Sequence, residues 1–190
     1  MRLFNDEESI KDSTSKNSVQ YRQEQERQQA ASASDPHLSK MKIALAEAGK
    51  CTAVPTAFCV GAVLAGPDGV ILSTGYSREH PGNTHAEQVC LDKLQGSVPE
   101  GAVLYTTMEP CSERLSGNKP CVERILENGN IRTVYVGVVE PSTFVENTGR
   151  KKLEDAGVEY LLVGGLEKEC LEAAKRGHES ADVDMAESAA

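Results

Sequence analysis

The sequence predicts an α/β fold: a three-layer α/β/α sandwich around one five-stranded mixed sheet. Five short apolar runs bounded by turn residues read as strands. The first two are joined by Gly66-Pro67-Asp68-Gly69, which makes them an antiparallel hairpin. After that hairpin, strands alternate with segments of helical periodicity, which favours helices on both faces of one sheet. A chain of 190 residues suits one such domain, expected over residues 37–177, with a tail at each end.

Residues 1–36 are rich in Ser, Gln, Glu and Lys and hold few apolar groups to offset the cost of ordering, so they read as a tail. Within it, residues 21–31 could form a transient polar helix. Asp35-Pro36 is a helix start signal, with Pro36 at the first helical position. From 37 to 51, Leu38, Met41, Ile43, Ala44, Leu45 and Ala48 recur at helical spacing, and Gly49 is a stop. Residues 57–65 and 70–76 are the two hairpin strands. Asn83-Thr84 is expected to cap a helix over 85–94. Residues 102–108 form the third strand. Pro120 opens a helix that runs to Glu127 and stops at Asn128-Gly129. Residues 132–139 are the fourth strand, 148–156 a helix stopped by Gly157, 158–163 the fifth strand and 166–176 the last helix. Residues 178–190 read as an acidic disordered tail.

Composition narrows the function classes. Aromatics are 4% and Trp is absent, so Val, Leu, Ile and Ala must do most of the packing. The formal net charge is −9, of which Glu179, Asp182, Asp184 and Glu187 supply 4. That balance argues against nucleic acid as partner, because backbone binding needs clustered Lys and Arg. A small anion remains acceptable, since a few fixed groups can hold one phosphate. The first twelve residues are charged and lack the apolar core of a secretory signal, and no stretch is long enough to span a bilayer. A cytoplasmic, reducing setting follows as the expectation, in which the six cysteines read as metal ligands or buried thiols.

Four residues carry the chemistry. His85 and Glu87 stand one residue apart at an expected helix start, Pro110-Cys111 follows the third strand, and Pro120-Cys121 opens the next helix. One imidazole and two thiolates make three ligands for Zn²⁺ and leave a fourth position open, which is the form of a catalytic site. Glu87 is placed to carry protons beside the metal. A structural site is the competing reading; it needs a fourth protein ligand, for which His80 and Cys90 are nearest. Cys51, Cys59 and Cys170 read as buried thiols, and neither His37 nor His178 demands a role.

His-x-Glu followed by Pro-Cys resembles the pattern of zinc deaminases, H-x-E then P-C-x-x-C. The second half departs from it, because nine residues separate Cys111 from Cys121. In deamination water attacks an amidine-like carbon and ammonia leaves. Zinc lowers the pKa of water bound to it towards ~7, and a carboxylate in a dry pocket is suited to moving the protons.

The segments Gly82-Asn83-Thr84-His85-Ala86-Glu87 and Thr107-Met108-Glu109-Pro110-Cys111-Ser112 resemble the cytidine-deaminase-like superfamily. The long insert, Ser112 to Pro120, is similar to that of the riboflavin-pathway pyrimidine deaminases, and its Arg114-Leu115-Ser116-Gly117-Asn118 run resembles the fungal form. The resemblance covers roughly residues 55–165. It implies a five-stranded sheet, zinc held by His85, Cys111 and Cys121, Glu87 as the catalytic proton shuttle, and a homodimer or higher oligomer. It implies as substrate 2,5-diamino-6-ribitylamino-4(3H)-pyrimidinone 5′-phosphate, which loses its 2-amino group. Bacterial relatives often fuse a reductase; nothing after residue 178 could be one, so reduction is expected from another protein.

For such a substrate the insert offers Ser116, Gly117, Asn118 and Lys119 as a phosphate or ribityl cradle. Arg114 and Arg150 are further candidates for the anion, although Arg150 and Lys151 also fit a solvated helix face. Asn83 could bond the pyrimidine edge or the ribityl hydroxyls, and residues 56–60 would lie beneath the base if the first strand passes the site. A solvated loop is the plain alternative for the insert. Two other functions stay open: deamination of another base or nucleoside (cytosine, cytidine, guanine), and a non-catalytic zinc-stabilised scaffold.

Overall fold

Successive side chains of a strand point to opposite faces of the sheet, and β1 (Gly61–Ala65) separates two cores in this way. Ala62 and Leu64 join one core, while Val63 and Ala65 join the other. All four are fully buried, so β1 is an interior strand. The computed structural model describes residues 35–114, 116–139 and 148–178. In it β1 pairs antiparallel with both β2 (Ile71–Tyr76) and β3 (Ala102–Met108). β3 pairs parallel with β4 (Ile131–Val138), and β4 pairs parallel with β5 (Glu159–Leu162). The order is β2-β1-β3-β4-β5, the five-stranded mixed sheet that the sequence predicts.

Helices cover both faces. α1 (Pro36–Lys50) lays Leu38, Met41 and Ala44 on one side, joined there by Cys170 of α5 (Glu167–Ala174). α2 (Ala86–Lys93), α3 (Cys121–Asn128) and α4 (Gly149–Asp155) pack Cys90, Ile125 and Leu153 on the other. Leu64, Leu104 and Leu153 are fully buried, and each such side chain contributes about 1.5–3 kcal/mol of burial. Two glycines allow backbones to meet. A Cβ on Gly61 would stand 1.9 Å from the Ala44 carbonyl oxygen, so α1 rests directly on β1. A Cβ on Gly75 would stand 2.6 Å from the Ala86 carbonyl oxygen and 2.9 Å from Val89 Cβ. The bare backbone of β2 there lets the first turn of α2, which carries Glu87, sit against the sheet.

Three local expectations are corrected. The first strand begins at Gly61 rather than at 57. The backbone before it spends its donors elsewhere: Cys59 N–H goes to the Ala174 carbonyl (3.0 Å) and Val60 N–H to Ser77 Oγ (3.0 Å). The cap of α2 is His85, with no side-chain capping bond, and Thr84 Oγ1 donates instead to the His80 carbonyl at 3.1 Å. His37 does have a structural part, since its ring nitrogens lie 3.0 Å from Tyr105 Oη and 3.3 Å from Tyr135 Oη. The remaining elements fall within one to two residues of their expected bounds. Of the expected tails, 1–36 and 178–190, residues 1–34 and 179–190 with the polar helix at 21–31 lie outside the described residues. No helix among the described residues is long and apolar enough to cross a membrane.

Candidate active site

Two helix starts and one strand end converge on a single point. His85 is the N-cap residue of α2, and Glu87 is in its first turn. β3 ends at Met108, after which Glu109 and Pro110 lead to Cys111. Cys121 is the first residue of α3, with Pro120 in extended conformation as its N-cap. A proline loses nothing at a helix start, where no intrahelical partner awaits its amide.

His85 Nδ1 lies 3.5 Å from Cys111 Sγ and 3.4 Å from Cys121 Sγ. All three donor atoms fall within 4.8 Å of one another. Ligands at ~2.1 and ~2.3 Å around a tetrahedral ion stand about 3.6 Å apart, so the donor set has the spacing that zinc requires. His80 and Cys90, the residues nearest for a fourth ligand, are outside this cluster. Cys90 is a core thiol, pushed up to about 12 by burial.

The two thiols beside His85 are pushed in opposite directions. The Cys111 thiol is held down to about 4, chiefly because its sulfur accepts a hydrogen bond from Cys121 and also faces His85. The Cys121 backbone N–H adds a further donor to that sulfur at 3.4 Å. The fully buried Cys121 thiol is pushed up, first by donating to Cys111 and then by burial. Metal ligands must be deprotonated, so a metal held here would displace a thiol proton. Glu87 is 3% exposed, and burial raises its carboxyl above the usual range. Its Oε2 lies 3.4 Å from Cys121 Sγ. Its Oε1 stands 3.3 Å from Thr106 Oγ1, which also lies 3.0 Å from the Met108 carbonyl. The one hydroxyl proton of Thr106 can serve only one of these, so Glu87 can hold its own proton without losing a partner.

A cavity of about 310 Å³ opens onto His85, Glu87 and Cys111. Thr56, Ala57, Phe58 and Val60 form one wall, as expected for four of the five residues at 56–60. Asn83, Arg114 and Ser116 line it, but Gly117, Asn118 and Lys119 do not. Asn118 Nδ2 donates to the Gly82 carbonyl at 3.3 Å, and Lys119 pairs with Glu127 of α3. Arg114 fastens the insert to the ligand helix by donating to the Asn83 carbonyl and to Gln88 Oε1. Arg150 pairs with Glu154 (2.8 Å) and Lys151 with Asp155 (2.6 Å) on the exposed side of α4, away from the cavity. Ser77, Arg78, Met108, Glu109 and Glu113 line the cavity without having been singled out from sequence. For Met108 and Glu109 the signal was present, since both sit in the run that ends at Cys111.

Residues 34–138 match the cytidine and deoxycytidylate deaminase zinc-binding region. The chain belongs to that deaminase family. Within the family it is similar to the diaminohydroxyphosphoribosylamino-pyrimidine deaminase of Schizosaccharomyces pombe, at 44% identity over 146 residues. That alignment covers 75% of this chain and 36% of the fission-yeast protein, so the chain spans little more than a third of that relative's length. The Rib2 deaminase of Aspergillus oryzae, solved in complex with DARIPP, superposes with a TM-score of 0.70 at 39% identity. There the overlap covers 78% of this chain and 94% of the other. A deaminase/reductase of Thermotoga maritima superposes with a TM-score of 0.64 at 31% identity, over 74% of this chain and 39% of that one. The family is therefore the one that the motifs predict.

Proposed function

We propose that the chain is a zinc-dependent hydrolytic deaminase acting on 2,5-diamino-6-ribitylamino-4(3H)-pyrimidinone 5′-phosphate. The products would be 5-amino-6-(5-phosphoribitylamino)uracil and ammonia. One observation carries the reading: His85, Cys111 and Cys121 aim three donor atoms at one point on the cavity, with the buried carboxyl of Glu87 in contact. The fission-yeast relative, named a diaminohydroxyphosphoribosylamino-pyrimidine deaminase, and the Aspergillus deaminase solved with DARIPP support the substrate. The free thiols among the described residues suit a reducing cytoplasm.

His85, Cys111 and Cys121 would hold the metal and leave one position towards the cavity. Zinc, when bound, supplies Lewis-acid activation of water at neutral pH. The protein's own groups do the rest. Glu87 takes one proton from the attacking water at a carboxylate oxygen and delivers it to the ring nitrogen next to the attacked carbon; it then takes the second proton, from the hydroxyl that the attack left on that carbon, and gives it to the departing amine as the carbonyl forms. Burial equips it for this, because a carboxyl with a raised pKa both accepts and returns protons near neutrality. Thr106 keeps its oxygen oriented. The apolar wall of Ala57, Phe58 and Val60 excludes bulk water from the ring, while Asn83, Arg114 and Ser116 present polar groups to the ribityl phosphate.

Comparison of the phosphorylated substrate with its dephosphorylated form tests the substrate class. Hydrogen bonds to a charged group contribute about 1.5–3 kcal/mol, so kcat/KM should favour the phosphate roughly 10- to 100-fold. Equal rates would remove the phosphate from the assignment. Absence of ammonia from both would overturn the function.

A further inference from the structure

We propose that Arg78 is a positioning residue for substrate recognition: a strap that holds one wall of the cavity in register with the helix carrying His85 and Glu87. The proposal rests on the reading of that cavity as the substrate site.

Arg78 lies just beyond β2, on the connection to α2, and its φ is 62°. Arginine rarely adopts this left-handed conformation, which puts its Cβ close to the following carbonyl. Here contacts in two directions hold it. The Arg78 backbone N–H donates to the Thr84 carbonyl at 2.7 Å, closing the loop immediately before His85. The side chain reaches the other way. Nη1 donates to the Phe58 carbonyl at 3.1 Å, and Nη2 donates to the Thr52 carbonyl at 2.7 Å. Nη2 also lies 2.8 Å from Cys51 Sγ and 3.3 Å from Cys59 Sγ. One guanidinium thereby grips both ends of the segment that supplies Thr56, Ala57 and Phe58 to the cavity.

That segment has little else on this side to define its path. Its regular pairing is one isolated bridge, Val54 to Ala57. Its outer side is fastened by the last turn of the described chain. Arg176 donates to the Cys51 carbonyl at 2.8 Å, and the His178 ring stacks on Phe58 with centroids 4.9 Å apart. On the metal-ligand side the described residues show two ties to the connection after β2: Val60 exchanges bonds with Ser77, and the Arg78 side chain holds the stretch from Thr52 to Phe58. Charge points the same way. The cavity lining includes the carboxyl groups of Glu87, Glu109 and Glu113, and its arginines are Arg78 and Arg114. Arg78 spends its donors on carbonyls and sulfurs rather than on a carboxylate. Its charge is thus left to favour an anionic substrate. A lysine cannot take this place, because a single ammonium cannot span two carbonyls as a planar fork does.

The test is steady-state kinetics of the full chain, with Arg78→Gln and Arg78→Lys, on the phosphorylated pyrimidine. Zinc content, melting temperature and amide hydrogen exchange of residues 52–58 are measured alongside. Misplaced walls cost binding, so KM should rise roughly 10- to 100-fold in both variants while kcat and zinc content hold. Exchange at 52–58 should accelerate, and Lys should not restore it. An unchanged KM in Arg78→Gln overturns the proposal, and so does a joint fall in kcat, zinc and melting temperature, which marks a purely structural part. If the wild-type chain releases no ammonia, the substrate reading fails on its own account, and unchanged exchange at 52–58 in Arg78→Gln still overturns the strap.

Discussion

Glu87→Gln is expected to leave zinc bound and to remove ammonia release. The carboxamide matches the carboxyl in shape, so it can keep the contacts with Thr106 and Cys121. It cannot accept and return a proton. Positioned acid–base groups contribute about 10²–10⁴-fold to rate, and Glu87 is asked to serve both the ring nitrogen and the leaving amine. The loss should therefore lie at the upper end, in kcat rather than KM, because the substrate is held by other residues. Metal analysis and ammonia release on the same sample give the answer. Turnover within a few-fold of wild type would remove Glu87 from the mechanism. Loss of zinc along with turnover would instead make the carboxylate a ligand.

Cys121→Ser is expected to cost the metal, and with it part of the fold's stability. The thiol is fully buried at the first position of α3, so no solvent path lets another ligand replace it. A serine hydroxyl stays protonated near neutral pH and is a poor ligand for zinc. Even changes to groups that only orient ligands lower metal affinity about 10- to 100-fold, and loss of a ligand should exceed that. A ligand present at 1,000 times its Kd stabilises the native state by about 4 kcal/mol. The wild-type melting temperature should therefore fall on chelation, and that of Cys121→Ser should not. A chelator effect of equal size on both proteins would show that Cys121 serves packing alone.

The pattern of ligands was legible because each part of it is local. Strand and helix periodicity placed His85 and Cys121 at helix starts and Cys111 at a strand end, and the donors meet as that placement requires. What escaped was set by distant contacts. Phe58 and Val60 favour a strand by composition, yet Cys59 and Val60 give their amides to Ala174 and Ser77. Lys119 looked free to hold a phosphate, but Glu127, eight residues on and near the end of α3, claims it. The left-handed turn at Arg78 carries no glycine or asparagine to announce it. Its conformation comes from carbonyls at Thr52, Phe58 and Thr84, far apart in sequence.

The central claim is an ion held by three side chains with one corner open. X-ray absorption at the zinc edge of the purified chain reads this directly. The expected spectrum has two sulfurs at ~2.3 Å and two lighter donors at ~2.0–2.1 Å, one of them imidazole and the other exchangeable. A third sulfur, a second imidazole, or a chain that binds no zinc would contradict it.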